Sequence, residues 1–429
     1  MLRFSFAVRG CVLGLLMLAG LVGCRRPPAI VVKKRRAAVH YDTRFEALLE
    51  KTDRPLIHGG FGPFVEVLDE PVAVVRADGK ATTWEVFFAT NRGLIASTTG
   101  GNQQRFGNEH VREVNLGRAE IMIPWRRRGF DPEREPAGDA ASTTTQQTAA
   151  DPFRYVKFDE VRSVSWSELS TGVNRQIARS RQQDLLLFVH GFNVDFESAL
   201  IRTAQVAVDL PFNGAVVSYC WPSQGGMTPS QYKTDEEFNA KSVEPFAAFL
   251  QQLLADVPSE TRVNIVVHSM GNRLVMQAIS QLPPRAHKRL ANVCLCAPDV
   301  GVTDFRRWAP GVVAQAERVT LYASTGDSAL IVSKSVHQEQ RAGDSHPPLI
   351  VPGIDTIDVS AVDFDFLGHS YYGSNVDVMS DLFRAIKQQR GPETCTYLSR
   401  RDVGGQPYWY FSDYGDVLSW KWNFETTLR

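Results

Sequence analysis

The stretch "NIVVHSMGNRL", residues 264–274, places Ser269 between an apolar run and a helical pattern. Ile265-Val266-Val267 reads as a strand buried on both faces, and Leu274, Val275, Met276, Ala278 and Ile279 recur at helical spacing. A strand, a sharp turn and a helix form the context in which a G-x-S-x-G elbow presents a nucleophilic hydroxyl. Val267 stands where the first glycine of that pattern belongs, and Gly271 keeps the second. A neutral serine attacks poorly unless a base takes its proton, a carboxylate orients the base and donors receive the oxyanion. Downstream, "RVTLYASTGDSAL" offers Asp327 just beyond a strand, and "IDTIDVSAVDFDFLGHSYY" offers His369 after the last one. The order Ser269, Asp327, His369 suits acyl transfer on a sheet of alternating strands and helices. Asp299, in "CLCAPDVG" at the preceding strand end, is the alternative acid. Asp327 is preferred because the acid usually lies one strand before the histidine.

The oxyanion needs two backbone N–H groups. One falls to Met270, directly after the nucleophile, where its amide opens the helix. The other falls to Phe192 in "LLLFVHGFNVDF", a strand that ends in His190-Gly191-Phe192-Asn193. Gly191 lets that backbone come close to a substrate. Alone, this loop reads better as a plain strand-to-helix turn capped by Asp195; paired with the Ser269 elbow and His369 it reads as the oxyanion loop. His190 and His268 read as loop-holding histidines. Trp221 and Ser223, in "YCWPSQGG", fall at the rim of the site, either as an acyl wall or as packing.

These residues need a scaffold, and the hydropathy pattern supplies one. Strands are expected at 185–190, 215–220, 263–268, 292–296, 318–323 and 356–359. Helices are expected at 196–208, 235–254, 272–281 and 377–388. Their alternation predicts an α/β fold: a mostly parallel central sheet with helices on both faces. Sites in such sheets form beyond the carboxyl ends of the strands. Earlier, "WEVFFATNRG" and "RAEIMIPW" read as two further strands.

The composition narrows the function classes. The chain has 429 residues with 47 basic and 47 acidic side chains, so no domain-sized basic surface is implied and nucleic acid is not expected as a partner. No histidine has a partner at metal-ligand spacing and no H-E-x-x-H pair occurs, so neither a metal nor a cofactor is expected. Cys294 and Cys296 share one face of a strand, which is poor geometry for a disulfide.

The first 23 residues, "MLRFSFAVRGCVLGLLMLAGLVG", carry Arg3 and Arg9 ahead of an apolar run too short to span a bilayer comfortably. With Cys24 they resemble the lipobox of bacterial lipoproteins, which implies cleavage before Cys24 and lipidation of its thiol. Such an anchor holds a protein on a bilayer without a spanning helix. The implied location is the bacterial cell envelope, and the outer membrane if the host is Gram-negative, because Arg25 replaces the inner-membrane Asp signal. Residues 24–50 form a basic, Pro-containing stretch, read as a headgroup-touching tether or as a solvated linker. Residues 51–83 form an N-terminal extension and 84–390 the catalytic domain, with a low-complexity insertion at 131–152. Residues 391–429 form an aromatic C-terminal extension, expected as a hairpin packed on the domain rather than as an exposed membrane or glycan contact.

Taken together, "VFFATNR", "LLLFVHGFNVDFESAL", "VVSYCWPSQG", "NIVVHSMGNRL", "LCAPDVG" and "GHSYY" resemble a bacterial α/β-hydrolase family long catalogued as a domain of unknown function. The resemblance covers roughly residues 84–390. It implies the α/β-hydrolase fold and esterase- or lipase-like chemistry, with Ser269 as nucleophile, His369 as base and Asp327 as acid. The resemblance does not give a substrate; a small ester or a lipid-like molecule is expected. The competing expectation is a non-catalytic envelope lipoprotein that uses the same fold as a binding module.

Overall fold

A computed structural model describes residues 74–77, 81–95, 105–124, 157–210, 212–224, 228–283, 287–325, 333, 337, 339–361, 376–395 and 397–411. The centre is built from β5 (Asp184–Val189), β6 (Ala215–Cys220), β7 (Arg262–His268), β8 (Leu290–Cys296), β9 (Ala316–Ala323) and β10 (Asp355–Asp358). Apolar, often β-branched runs buried on both faces explain why strands form here. In β5, β6 and β8 every residue is buried.

On one side of this centre lie β1 (Val74–Ala77), β2 (Ala81–Ile95), β3 (Arg105–Pro124) and β4 (Lys157–Ser163). On the other lie β11 (Leu398–Val403) and β12 (Gln406–Phe411). The order is β11-β12-β10-β9-β8-β7-β5-β6-β2-β3-β4, with β1 beside β2. Every pairing from β12 across to β2 is parallel. The β2–β3, β3–β4, β1–β2 and β11–β12 pairs are antiparallel. The aromatic extension thus contributes a hairpin that joins the sheet through β10, turning at Gly404-Gly405. Trp409 and Tyr410 lie on β12, whereas Trp420 and Trp422 lie outside the described residues.

Seven helices cover the sheet among the described residues: α1 (Trp166–Arg179), α2 (Phe196–Asp209), α3 (Pro229–Lys241), α4 (Val243–Asp256), α5 (Gly271–Ser280), α6 (Val302–Gln315) and α7 (Val376–Ile386). One core joins α1, α4, α5 and α6 to Leu185, Leu187, Ile265 and Val267. The opposite core joins α2 and α7 to Leu186, Phe188, Val266, Cys294 and Cys296. Alternate residues of each strand therefore feed opposite faces. Cys220, Cys294, Cys296 and Cys395 are free thiols.

One expectation needs correction. The single helix predicted over 235–254 is two helices that meet at Ser242. Pro245 lacks the N–H that would bond the Lys241 carbonyl, so the helix cannot run through. The Ser242 hydroxyl donates to the Phe238 carbonyl at 2.7 Å and closes the first helix. At its other end Thr228 and Gln231 form a capping box. Among the described residues no helix is long and apolar enough to cross a membrane.

The strand order also fixes where a site can form. From β5 the chain crosses to β6 on one side, and from β7 it crosses to β8 on the other. The connections part between β5 and β7, the point beyond whose carboxyl ends open α/β sheets form their ligand crevices. His190 to Val194 follow β5 and Ser269 follows β7, at that point of the sheet.

Candidate active site

Ser269 follows the last residue of β7 and has φ +48°, the left-handed region that a side chain with a Cβ rarely adopts. Neighbouring strands hold the turn. The Ser269 N–H donates to the Cys296 carbonyl at 2.9 Å, and the Ser269 carbonyl accepts from the N–H groups of Asn272 and Asp299. The Asn272 side chain donates to the same carbonyl at 2.9 Å. A strained residue fixed this firmly marks a place where backbone geometry serves a purpose. The side chain of Ser269 is nearly enclosed, with 2% exposure. Among the described residues its hydroxyl has no hydrogen-bond partner.

Two glycines let the β5 loop touch this turn. A Cβ on Gly191 would lie 2.8 Å from the Ser269 Cβ. A Cβ on Gly271 would lie 2.4 Å from the His190 carbonyl oxygen and 3.3 Å from Cγ2 of Val267. This explains the departure from the G-x-S-x-G pattern. Val267 is fully buried in β7, and the room its branched side chain takes is left by Gly271.

Met270 stands at the N-cap of α5 with αR geometry, and Phe192 lies in the loop after β5. Neither N–H has an acceptor among the described residues. Both amides flank Ser269, one next in sequence and one beside Gly191. The Phe192 ring is half-buried edge-on against Tyr232 of α3, 5.3 Å between centroids.

His190 and Trp221 lie beneath the loop. Their rings stack at 5.1 Å, and the Trp221 indole N–H donates to the His190 carbonyl at 2.8 Å. Trp221 and Ser223 are both buried and support the loop from below. Burial, and then the nearby charge of Arg92, pushes the His190 imidazole down to about 3. It is therefore neutral, with Nδ1 2.8 Å from the Gly191 carbonyl.

The turn after β8 carries Asp299, 2% exposed and crowded with partners. Its carboxylate accepts from the Tyr232 hydroxyl at 2.5 Å, the Ser333 hydroxyl at 2.5 Å and Arg273 at 3.3 Å, and it pairs with Arg341 at 3.1 Å. Burial alone would raise this carboxyl, but the two guanidinium groups and the hydroxyl donors hold it below the usual carboxylate range. Arg273 also reaches Glu236, which in turn meets His337 at 2.7 Å. This network ties α3, α5 and the β8 turn together, and no imidazole donates to Asp299 among the described residues.

Of the expected catalytic groups, the structure brings Ser269, Met270 and Phe192 together. Asp327, His369 and Cys24 lie outside the described residues, as does the 131–152 insertion. The residues that the sequence pattern did not single out are Arg92, Asp235, Tyr232, Arg273 and Arg341. The sole local hint was a charge closing the apolar run "VFFATNR". A surface cavity of about 330 Å³ lies between α3, α5 and α6, lined by Glu236, Arg273, Arg307 and Trp308 among others. Ser269 is not part of its lining. Among the described residues no cluster of three or more His, Cys, Asp or Glu side chains is arranged to hold a metal ion.

Residues 165–388 match the family described as "Alpha/beta hydrolase of unknown function (DUF900)". Among solved structures the chain is similar to the esterase domain of a Rhodothermus marinus protein, at 13% identity over 48% of this chain and 84% of that one, TM-score 0.27. It is also similar to a hyperthermophilic esterase from the archaeon Pyrobaculum calidifontis, at 12% identity over 48% and 75%, TM-score 0.29. A fungal esterase from Rhizomucor miehei matches at 8% identity over 82% and 91%, TM-score 0.29. No curated protein matches the chain.

Proposed function

The chain belongs to this family of α/β hydrolases, and from that premise we propose that it is a serine hydrolase that cleaves small carboxylic esters through an acyl-enzyme on Ser269. The observation that carries the reading is the β7 turn. A strained, enclosed serine keeps its hydroxyl without a described partner, beside two backbone N–H groups in the same condition.

In this reading the Ser269 oxygen attacks the acyl carbon as His369 takes its proton, and Asp327 orients and balances the imidazolium. The N–H groups of Phe192 and Met270 receive the oxyanion, which is charge that develops only in the transition state. The ester C–O bond then breaks and the alcohol leaves with the proton from His369. Water, deprotonated by the same imidazole, releases the acid and restores Ser269. Catalysis needs no metal in this scheme.

The test is a fluorophosphonate probe on the purified protein, followed by mass mapping of the label and turnover of a short-chain p-nitrophenyl ester. Wild type is expected to carry the label on Ser269. Ser269→Ala is expected to lose label and turnover while keeping its melting temperature. An unlabelled, inert wild type would favour the non-catalytic binding lipoprotein.

We place the enzyme on the cell envelope through Cys24, on the strength of the lipobox resemblance. Fatty-acid labelling with membrane fractionation checks this. Cys24→Ser should lose the label and either free the hydrolase domain or leave an unprocessed precursor. Equal labelling and equal membrane retention would remove Cys24 as the anchor.

A further inference from the structure

Two buried charges outside the expected triad grip the loop that carries Phe192. Arg92, near the end of β2, is 0% exposed and makes no salt bridge among the described residues. Its guanidinium is used on the main chain instead. Nη2 donates to the Val194 carbonyl at 2.6 Å, and Nη1 donates to the Ser223 carbonyl at 3.2 Å. Nη1 also reaches the Gly107 carbonyl and the Asn108 side chain of β3. Burial pushes this guanidinium down to about 10, which shows how costly the placement is.

Asp235 of α3 is also 0% exposed. It accepts from the Ser223 hydroxyl at 2.5 Å and from the Gln224 N–H at 2.7 Å. The Ser223 hydroxyl in turn accepts from the Val194 N–H at 3.3 Å. Asn193 holds φ +58°, so the chain kinks at the residue after Phe192. His190 fixes the Gly191 carbonyl from below. The loop's polar groups on either side of Phe192 are thus held: Val194 by Arg92 directly and by Asp235 through Ser223, and the Gly191 carbonyl by His190. The Phe192 N–H is left over, with no acceptor among the described residues.

A single neutral hydrogen bond would suffice to close a strand-to-helix turn. Two buried ions, each bound to backbone rather than to the other, cost far more than that and hold the peptide plane far more stiffly. An oxyanion donor needs this stiffness, because it must point at charge that appears only during reaction.

We propose that Arg92 and Asp235 are positioning residues that aim the Phe192 N–H into the oxyanion site, with Ser223 as the link between them. The assignment rests on the hydrolase reading of Ser269. Neither residue touches substrate. Both act through the loop, so their loss should appear in the transition state and not in substrate binding.

The experiment uses the full chain in detergent, with Asp235→Asn, Arg92→Lys and the milder Ser223→Ala. Three quantities are measured for each: kcat and KM on a p-nitrophenyl ester, Ki for an alkyl trifluoromethyl ketone, and deuterium exchange of the peptide covering 186–196. The ketone is chosen because its hemiketal oxyanion occupies the same donors. The expected result is a kcat lowered roughly 10- to 100-fold, the scale of a misplaced catalytic group, with KM within about twofold. Ki should rise by the same factor, the pH midpoint of kcat should stay in place, and exchange in 186–196 should quicken.

A raised KM at unchanged kcat would overturn the proposal, and so would a lowered kcat at unchanged Ki. If Asp235→Asn does not fold, Ser223→Ala decides the matter by the same readings. If the wild type is inert and takes no fluorophosphonate, the hydrolase reading falls. The exchange rates then still decide whether the two charges hold the loop, and unchanged rates in folded variants would overturn that too.

Discussion

Ser269 follows β7 and Ala297 follows β8, and both hold a positive φ, 48° and 43°. The N–H of each donates 2.9 Å to the last or penultimate residue of a neighbouring strand, Cys296 for Ser269 and Tyr322 for Ala297. Each turn is also met by a glycine from another segment, Gly191 at the first and Gly343 at the second. The backbone device is therefore the same, and strain alone does not single out a nucleophile. The polar groups separate them. The β7 turn leaves a hydroxyl and two nearby amides without described partners, while the β8 turn surrounds the Asp299 carboxylate with four donor residues. A buried group with every bond made stabilises a fold, and a buried group left open is available for chemistry.

The acids give the widest separation. Asp327→Asn should lower kcat about 10⁴-fold, because an amide cannot hold the base in the needed tautomer or balance its charge. Asp299→Asn should keep kcat within roughly tenfold and lose stability instead, on the order of 3 kcal/mol, since Arg273 and Arg341 would face a neutral amide. Steady-state kinetics beside thermal melts read both effects. The reverse pattern would make the β8 turn the acid-bearing one and end the distinction.

The two glycines sharpen it further. Gly191→Ala forces the oxyanion loop off Ser269 and should cost about 100-fold in kcat/KM. Gly343→Ala would set a Cβ 2.6 Å from the Ala297 carbonyl carbon. It should lower the melting temperature while the folded fraction keeps its kcat. Equal kinetic damage from both would mean that the turns are mechanically coupled.

The smallest effect is a pH dependence. In the unfolded chain His190 binds a proton near 6.5, while the fold keeps it neutral down to about 3. The unfolded state therefore holds more protons in that window, and stability should fall as pH drops through it. Melts of wild type and His190→Gln between pH 7 and 4.5 test this, with a flatter profile expected for the variant. That range lies above the titration of Asp299, so the β5 loop and the β8 turn contribute in different windows.

The central strands were legible because both faces are buried, which writes continuous apolar runs into the sequence. The turn at Ser269 and the loop after β5 were legible because a strand-to-helix elbow and its neighbouring loop are local patterns. The break at Ser242 was not, since Pro245 sits in the first turn of a helix, where proline is also at home. Helix α1 does carry a local signal in its capping box, Ser165 with Glu168, but polar positions dominate the rest of it. The roles of Arg92 and Asp235 could not be read at all. Arg92 meets Val194 and Ser223, 102 and 131 residues away, and no short-range pattern records contacts of that span. The surroundings of Asp299 are a similar case, supplied in part by Ser333 and Arg341 from beyond the next strand.

The pairing of β2 with β6 has a practical consequence for anyone trimming this protein. The matched family region begins at residue 165, after β2, β3 and β4 have already passed. A protein cut to that region would leave β6, buried at all six positions, as a bare edge. Long apolar edges recruit other strands, so such a fragment should aggregate rather than report on the enzyme. It would also lack Arg92. The hairpin ahead of the matched region is therefore the edge guard of the sheet, and an expression boundary drawn from the family match alone would remove it.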